Sequence, residues 1–147
     1  MQEPDKPRST TCASIRICYS TAIARKPFGA YAKIFGGKIV AMMPFEGSPA
    51  GEKTPADWRK KILHARLEFG DNALMASDAP PGRFQKMQGM SVTLNVGDPA
   101  EAERIFDGLA DRATVTMPLS ETFWALKFGM LTDRFGTPWI INCAKPS

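Results

Sequence analysis

Tyr31-Ala32-Lys33-Ile34-Phe35-Gly36-Gly37-Lys38, continued by Met43-Pro44-Phe45, decides the fold, because the chain writes the same pattern a second time. Phe28, Tyr31, Ala32 and Phe35 are spaced i, i+3, i+4, i+7, the apolar stripe of an amphipathic helix, and Gly36-Gly37 supplies its C-terminal stop. A strand over 38–45 follows. Further along, Asp98-Pro99-Ala100-Glu101 carries an N-cap residue, proline at the first helical position and glutamate at the third. Ala102, Ile105, Phe106 and Leu109 then repeat the stripe, which predicts a second helix to about Asp111. At a constant offset of 74 residues Tyr31 falls on Ile105, Phe35 on Leu109, Lys38 on Arg112, and Met43-Pro44-Phe45 on Met117-Pro118-Leu119. Half the chain length separates two copies of one unit, and such a duplication fixes architecture before any motif does.

Outward from these anchors, strands are expected at 61–69 and 73–77, joined by Gly70-Asp71-Asn72, and at 122–131 and 139–143, joined by Asp133-Arg134-Phe135-Gly136. Val92, Leu94 and Val96 alternate within 90–96, the strand that opens the second unit. The fold class is therefore α+β, a single domain of two βαβββ modules, about 12–78 and about 88–145, whose sheets curl to form a cleft. Two connections are long: 46–58, with a short helix expected to be capped at Thr54, and 79–89. Long loops at equivalent sheet edges are common places for lids.

Composition narrows the function classes. The chain has 147 residues, 44% hydrophobic and 23% charged, one ordinary domain's worth. No apolar run approaches the roughly 20 residues of a spanning helix, and no secretory signal pattern opens the chain, so no membrane partner and a cytoplasmic location are expected. Cys12, Cys18 and Cys143 cannot all pair within the chain and form no C-x-x-C, which reads as reduced thiols. The net charge of +4 is concentrated in residues 1–28, and elsewhere the signs are interspersed without an RNA-binding aromatic signature, so no nucleic-acid partner is expected.

The duplicated βαβββ unit resembles the vicinal oxygen chelate superfamily of glyoxalases, bleomycin-resistance proteins and extradiol dioxygenases. Residues 31–38, Ile62-Leu63-His64-Ala65, Leu74-Met75-Ala76-Ser77-Asp78, Glu121-Thr122-Phe123-Trp124-Ala125 and 133–142 are similar to its PhnB-like branch, often labelled demethylubiquinone-methyltransferase-type. That label has no counterpart here in a glycine-rich nucleotide loop following a strand. The resemblance covers roughly 28–145 and implies a homodimer, for which open sheet edges are a physical reason.

Residues 1–27 depart from the family, which opens with a hydrophobic strand and an acidic helix start. Read from the third base of each codon, the stretch 12–28 permits Cys-Ile-His-Pro-Tyr-Leu-Leu-Phe-Asp-Gly-Asn-Cys-Glu-Glu-Ala-Phe, a family-like strand and helix start. The expectation is a frameshift restored near Gly29. In the chain as it stands, the first strand is expected to be replaced or poorly paired, without any ligand it carried.

The resemblance implies a divalent metal held by His and Glu on inner strands, acting as Lewis acid and template. Such a site needs about three protein ligands, and this chain has one histidine. Met75 or Ala76, and Ile140, stand where the superfamily's glutamates are expected, so no cofactor is predicted. If a divalent metal binds, His64 and Glu121 are its ligands. The candidate cleft residues are His64 as base, donor or half-buried strand residue, Met75 as part of an adaptable apolar lining, and Glu121 as a carboxylate with a pKa raised by nearby rings. Trp124 and Trp139 complete the set as stacking surfaces for a flat ligand or as core. Catalytic residues are not assigned. The expected function is binding of a small apolar or aromatic molecule in the inter-module cleft without the usual metal centre; the alternative is a metal-dependent lyase, isomerase or dioxygenase acting on a vicinal-oxygen substrate.

Overall fold

Each apolar stripe becomes a helix laid on the strands that follow it. The computed structural model describes residues 14–19, for which the backbone alone is considered, 24–80 and 82–146. The first module is β1 (Ser14–Tyr19), α1 (Arg25–Phe35), β2 (Lys38–Pro44), β3 (Ile62–Phe69) and β4 (Asn72–Asp78). The second is β5 (Val92–Asn95), α2 (Pro99–Ala110), β6 (Thr114–Ser120), β7 (Ala125–Thr132) and β8 (Pro138–Ala144). Their sheets run β1-β4-β3-β2 and β5-β8-β7-β6, the same order twice, with the first pair of each parallel and the rest antiparallel. The α+β architecture of two βαβββ modules is present.

The 74-residue offset holds from Arg25 to Pro99 at the helix starts but falls to 63 from Ile62 to Ala125 at β3 and β7. The long 45–61 connection of the first module is replaced in the second by a tight turn, in which Thr122 Oγ1 accepts from the Ala125 N–H at 3.0 Å. Thr122 to Trp124 therefore precede β7 rather than belonging to it, a correction to the strand expected from 122. Thr54 likewise ends a short 3₁₀ turn (Gly51–Lys53) instead of starting a helix, and its hydroxyl donates back to the Ala50 carbonyl at 2.7 Å.

The helix ends follow their local chemistry. Asp98 caps α2 by accepting from the Ala100 N–H at 3.3 Å, and the expected Ala102, Ile105, Phe106 and Leu109 are all buried. Gly36 closes α1 in the left-handed conformation with φ of 64°. The start of α1 has no side-chain cap of its own and no acidic residue in its first turn, where Arg25 and Lys26 sit instead. Cations there oppose the helix dipole. A carboxylate from elsewhere compensates: Asp78, 2% exposed at the end of β4, accepts from the Ala24 N–H at 3.0 Å and from the Ile62 N–H at 2.7 Å.

β1 pairs in parallel with β4 along six residues, from Ser14↔Ala73 to Tyr19↔Asp78, so the first strand is in place and fully paired, contrary to expectation. Ile15, Ile17 and Tyr19 do alternate with Arg16 and Cys18, a period-2 pattern too short to stand out in a polar, basic stretch. Cys143 is buried and unpaired; Cys12 lies outside the described residues.

Phe28, Tyr31 and Phe35 of α1 join Ala65, Leu67, Leu74 and Ala76 of the first sheet to Ile105, Phe106, Leu109, Leu131, Trp139 and Ile141 of the second module in one core. The modules meet through their helix-covered faces: Ile34 packs against Gly108, where a Cβ would come within 3.1 Å. A buried polar hub ties them. Asp133 Oδ2 accepts from the Tyr31 hydroxyl at 2.6 Å and from Trp139 Nε1 at 2.8 Å, while its Oδ1 accepts from the N–H groups of Phe135 and Thr137 at 2.8 and 3.0 Å.

Candidate functional site

Alternation along the strands sorts side chains into a core-facing and an open set. In β3, Ala65 and Leu67 are core, which turns His64 and Arg66 to the opposite face; in β4, Leu74 and Ala76 are core, which turns Met75 the same way. Register completes this surface, because Met75 is paired with Arg66 and His64 with Met43. His64 and Met75 are thus brought together, half-buried, on the open face of the first sheet, beside Met43, which is 51% exposed. Arg66 donates from Nε to Glu68 Oε1 at 2.8 Å. In β1, Arg16 is the register partner of Met75.

The second sheet repeats the arrangement. Leu131, Trp139, Ile141 and Cys143 face the core, and a Cβ on Gly129 would lie 2.7 Å from the Phe106 ring of α2. Phe128, Met130, Ile140 and Asn142 accordingly take the open face, paired Phe128↔Asn142 and Met130↔Ile140. Trp124 packs edge-on to Phe128 with centroids 5.3 Å apart, and Phe123 to Trp124 at 4.5 Å. Phe123 is 89% exposed and Trp124 46%, so an aromatic surface stands in solvent at one end of this face. Asn142 donates from Nδ2 to Asn95 Oδ1 at 2.9 Å, while its own Oδ1 is buried without a partner among the described residues.

Trp139 leaves the candidate cleft set. It is 1% exposed, edge-on to Tyr31 at 5.3 Å and to Phe35 at 5.5 Å, on the core side of β8. Glu121 stays at the margin of the aromatic surface, but its expected electrostatics are reversed. Lys145 Nζ lies 2.7 Å from Oε1, and that hydrogen bond and charge, with Lys127 adding to them, hold the carboxyl below its ordinary 4.5. A lysine twenty-four positions away in the sequence outweighs the neighbouring rings, and its reach was not legible from spacing.

His64 and Glu121 do not fit as ligands of one ion within a chain. His64 is on the open face of the first sheet and Glu121 in the turn between β6 and β7 of the second module, Glu121 is engaged by Lys145, and no group of three or more His, Cys, Asp or Glu suited to a metal occurs among the described residues. The faces expected to enclose the cleft are turned apart within one chain. Phe128, Asn142 and Arg66 join the open faces without having been singled out in the sequence, although Gly129 and the alternation of β7 carry the signal for the first.

Two four-stranded βαβββ sheets on a common helical core define a glyoxalase, bleomycin-resistance and dioxygenase fold, the architecture of the vicinal oxygen chelate superfamily. The chain belongs within it to the PhnB-like family whose model is described as 3-demethylubiquinone-9 3-methyltransferase, which matches residues 15–142. It is 37% identical over 100 residues to protein YjdN of Escherichia coli K12, across 68% of this chain and 66% of that protein, so the match spans just under two thirds of the relative's length. Protein PA1353 of Pseudomonas aeruginosa is 45% identical with a TM-score of 0.81, covering 92% of this chain and 98% of that one. A PhnB protein from Bacillus cereus, titled a putative 3-demethylubiquinone-9 3-methyltransferase, shares the fold at 20% identity and a TM-score of 0.71 over 89% and 98% of the chains. So does a glyoxylase/bleomycin resistance protein/dioxygenase domain from Frankia, at 11% identity and 0.60 over 95% and 100%. No helix among the described residues is long and apolar enough to cross a membrane.

Proposed function

We propose that this chain binds a small apolar or aromatic molecule between the open sheet faces of two copies, without the superfamily's usual metal centre. The observation that carries the reading is the orientation of the two faces. Each bears apolar side chains, Met43 and Met75 on one and Phe123, Trp124, Phe128 and Met130 on the other, and each turns away from the helical junction that joins the modules. A chain cannot close its own two faces on one another while that junction holds, whereas a second copy can set its His64 face against the first copy's aromatic one. Burying such surface is worth about 25 cal/mol per Å2, and edge-on aromatic groups suit a flat ligand. His64 supplies a hydrogen-bonding imidazole, and Glu121 with Lys145 forms a charged margin.

The test uses 8-anilinonaphthalene-1-sulfonate as an aromatic probe, with wild type, Trp124→Ala and His64→Ala. Saturable binding at one or fewer sites per chain that weakens at least tenfold in Trp124→Ala, with the far-ultraviolet circular dichroism unchanged, is expected. Binding indifferent to both substitutions would overturn the assignment.

A further inference from the structure

The two long connections converge at one end of the first sheet, away from the open sheet faces. Residues of the 45–61 and 79–89 connections line a half-open pocket of about 380 Å3, formed by Ala50, Lys53, Thr54, Pro55, Trp58, Pro80 and Arg83. Its walls divide by chemistry. Ala50, Pro55, Pro80 and the indole of Trp58 are apolar, Lys53 and Arg83 are cationic, the Thr54 hydroxyl is already donated to the Ala50 carbonyl, and among the described residues no acidic side chain lines it. Neither cation forms an ion pair among the described residues. Lys61 adds a third positive charge close by, with Nζ 5.9 Å from the centre of the Trp58 ring.

A second observation concerns Trp58 itself. Its Nε1 is shut off from solvent and has no acceptor among the described residues. A buried donor left unmade is disfavoured, and such groups in native proteins are usually explained by an absent partner. Trp58 is itself a wall of the cavity, so the unpartnered donor and the two cations belong to one pocket.

We propose that this cavity is a second binding site, separate from the open sheet faces, for a small carboxylate with a flat or aliphatic body. The carboxylate pairs with Arg83, whose planar fork matches its two oxygens, and takes the Trp58 N–H; the body lies against the prolines and the indole.

Calorimetric titration with benzoate, benzyl alcohol and inorganic phosphate tests the assignment on the full chain, with Trp fluorescence recorded in parallel. Saturable benzoate binding is expected, at least tenfold weaker in Arg83→Gln and several-fold weaker in Trp58→Phe, with a fluorescence change that Trp58→Phe loses. Trp124→Ala, which removes the aromatic surface of the other site, is expected to leave benzoate affinity within twofold. Benzyl alcohol binding as tightly as benzoate would overturn the anionic part, and phosphate binding as tightly would overturn the apolar part. No benzoate binding, or binding lost in Trp124→Ala and kept in Arg83→Gln, would overturn the site altogether, whatever becomes of the sheet-face reading.

Discussion

Replacing Tyr31 with Phe removes one hydroxyl from the joint between the modules and leaves its ring in place. The hydroxyl is donated to Asp133 Oδ2 at 2.6 Å and lies 3.1 Å from Thr137 Oγ1, and Tyr31, Asp133 and Thr137 are 0%, 6% and 0% exposed. Hydrogen bonds to charged groups contribute about 1.5–3 kcal/mol. Asp133 retains Trp139 Nε1 and the N–H groups of Phe135 and Thr137, so the loss stays within that range instead of reaching the cost of an abandoned carboxylate. The ring contacts with Phe35 at 5.6 Å and Trp139 at 5.3 Å persist, so no cavity term is added. Urea unfolding followed by circular dichroism is expected to show a midpoint lower by roughly 1 M at an unchanged slope, and a Tm lower by about 5 °C. Asp133→Asn is expected to cost more, because all the donors lose their charged acceptor. A loss below about 0.5 kcal/mol in Tyr31→Phe, or two separate unfolding transitions in the wild type, would refute the idea that this hub couples the modules into one core.

Glu121 is expected to titrate below 4.5 in carboxyl-detected NMR and to return toward that value in Lys145→Ala. Its folded pKa is depressed, so whatever the pair adds to stability is present above the unfolded value and lost as pH falls through the folded one; an unchanged titration in the variant would remove Lys145 as the cause. Arg25→Glu with Lys26→Glu is expected to raise stability by about 0.5–1 kcal/mol per site through the α1 dipole, read by urea unfolding, and no gain would show that the dipole does not matter there. We also propose that the coding DNA across 12–28 carries the shifted frame, which encodes an acidic helix start; sequenced third bases that forbid that reading would dismiss it. Plasma mass spectrometry of protein purified without chelator or affinity-column metal is expected to find well under one divalent ion per chain, and near-stoichiometric metal lost in both His64→Ala and Glu121→Ala would favour the metal-dependent alternative.

The architecture was legible because its signals are local and repeated. The stripes Phe28-Tyr31-Phe35 and Ala102-Ile105-Phe106-Leu109 each identify a buried helix face, and Asp98-Pro99 marks a start by the bonds its own side chain makes. The site was less legible because it depends on which face a strand turns inward, and one residue of slip reverses that. Trp139 shows the difficulty: nothing in its neighbours Pro138 and Ile140 reveals that its indole reaches Asp133, whereas Tyr31, whose stripe position was plain, lies across the modules from it. Glu121 fails for another reason. Charge pairing between Glu121 and Lys145 needs β7 and β8 to be laid side by side first, and a single sequence carries no direct trace of that pairing. Asp78 holds backbone at two segments distant from it in sequence, Ala24 and Ile62, which no local pattern announces.

The proposed site requires the two open faces to be completed by a second copy of the chain. Sedimentation velocity over a range of concentrations, with Trp124→Glu beside the wild type, reads this out. The wild type is expected at twice the 16.1 kDa of the chain, and Trp124→Glu at the single-chain mass with its circular dichroism intact. A wild type at 16.1 kDa at every concentration, or a dimer indifferent to the charge at 124, would contradict it.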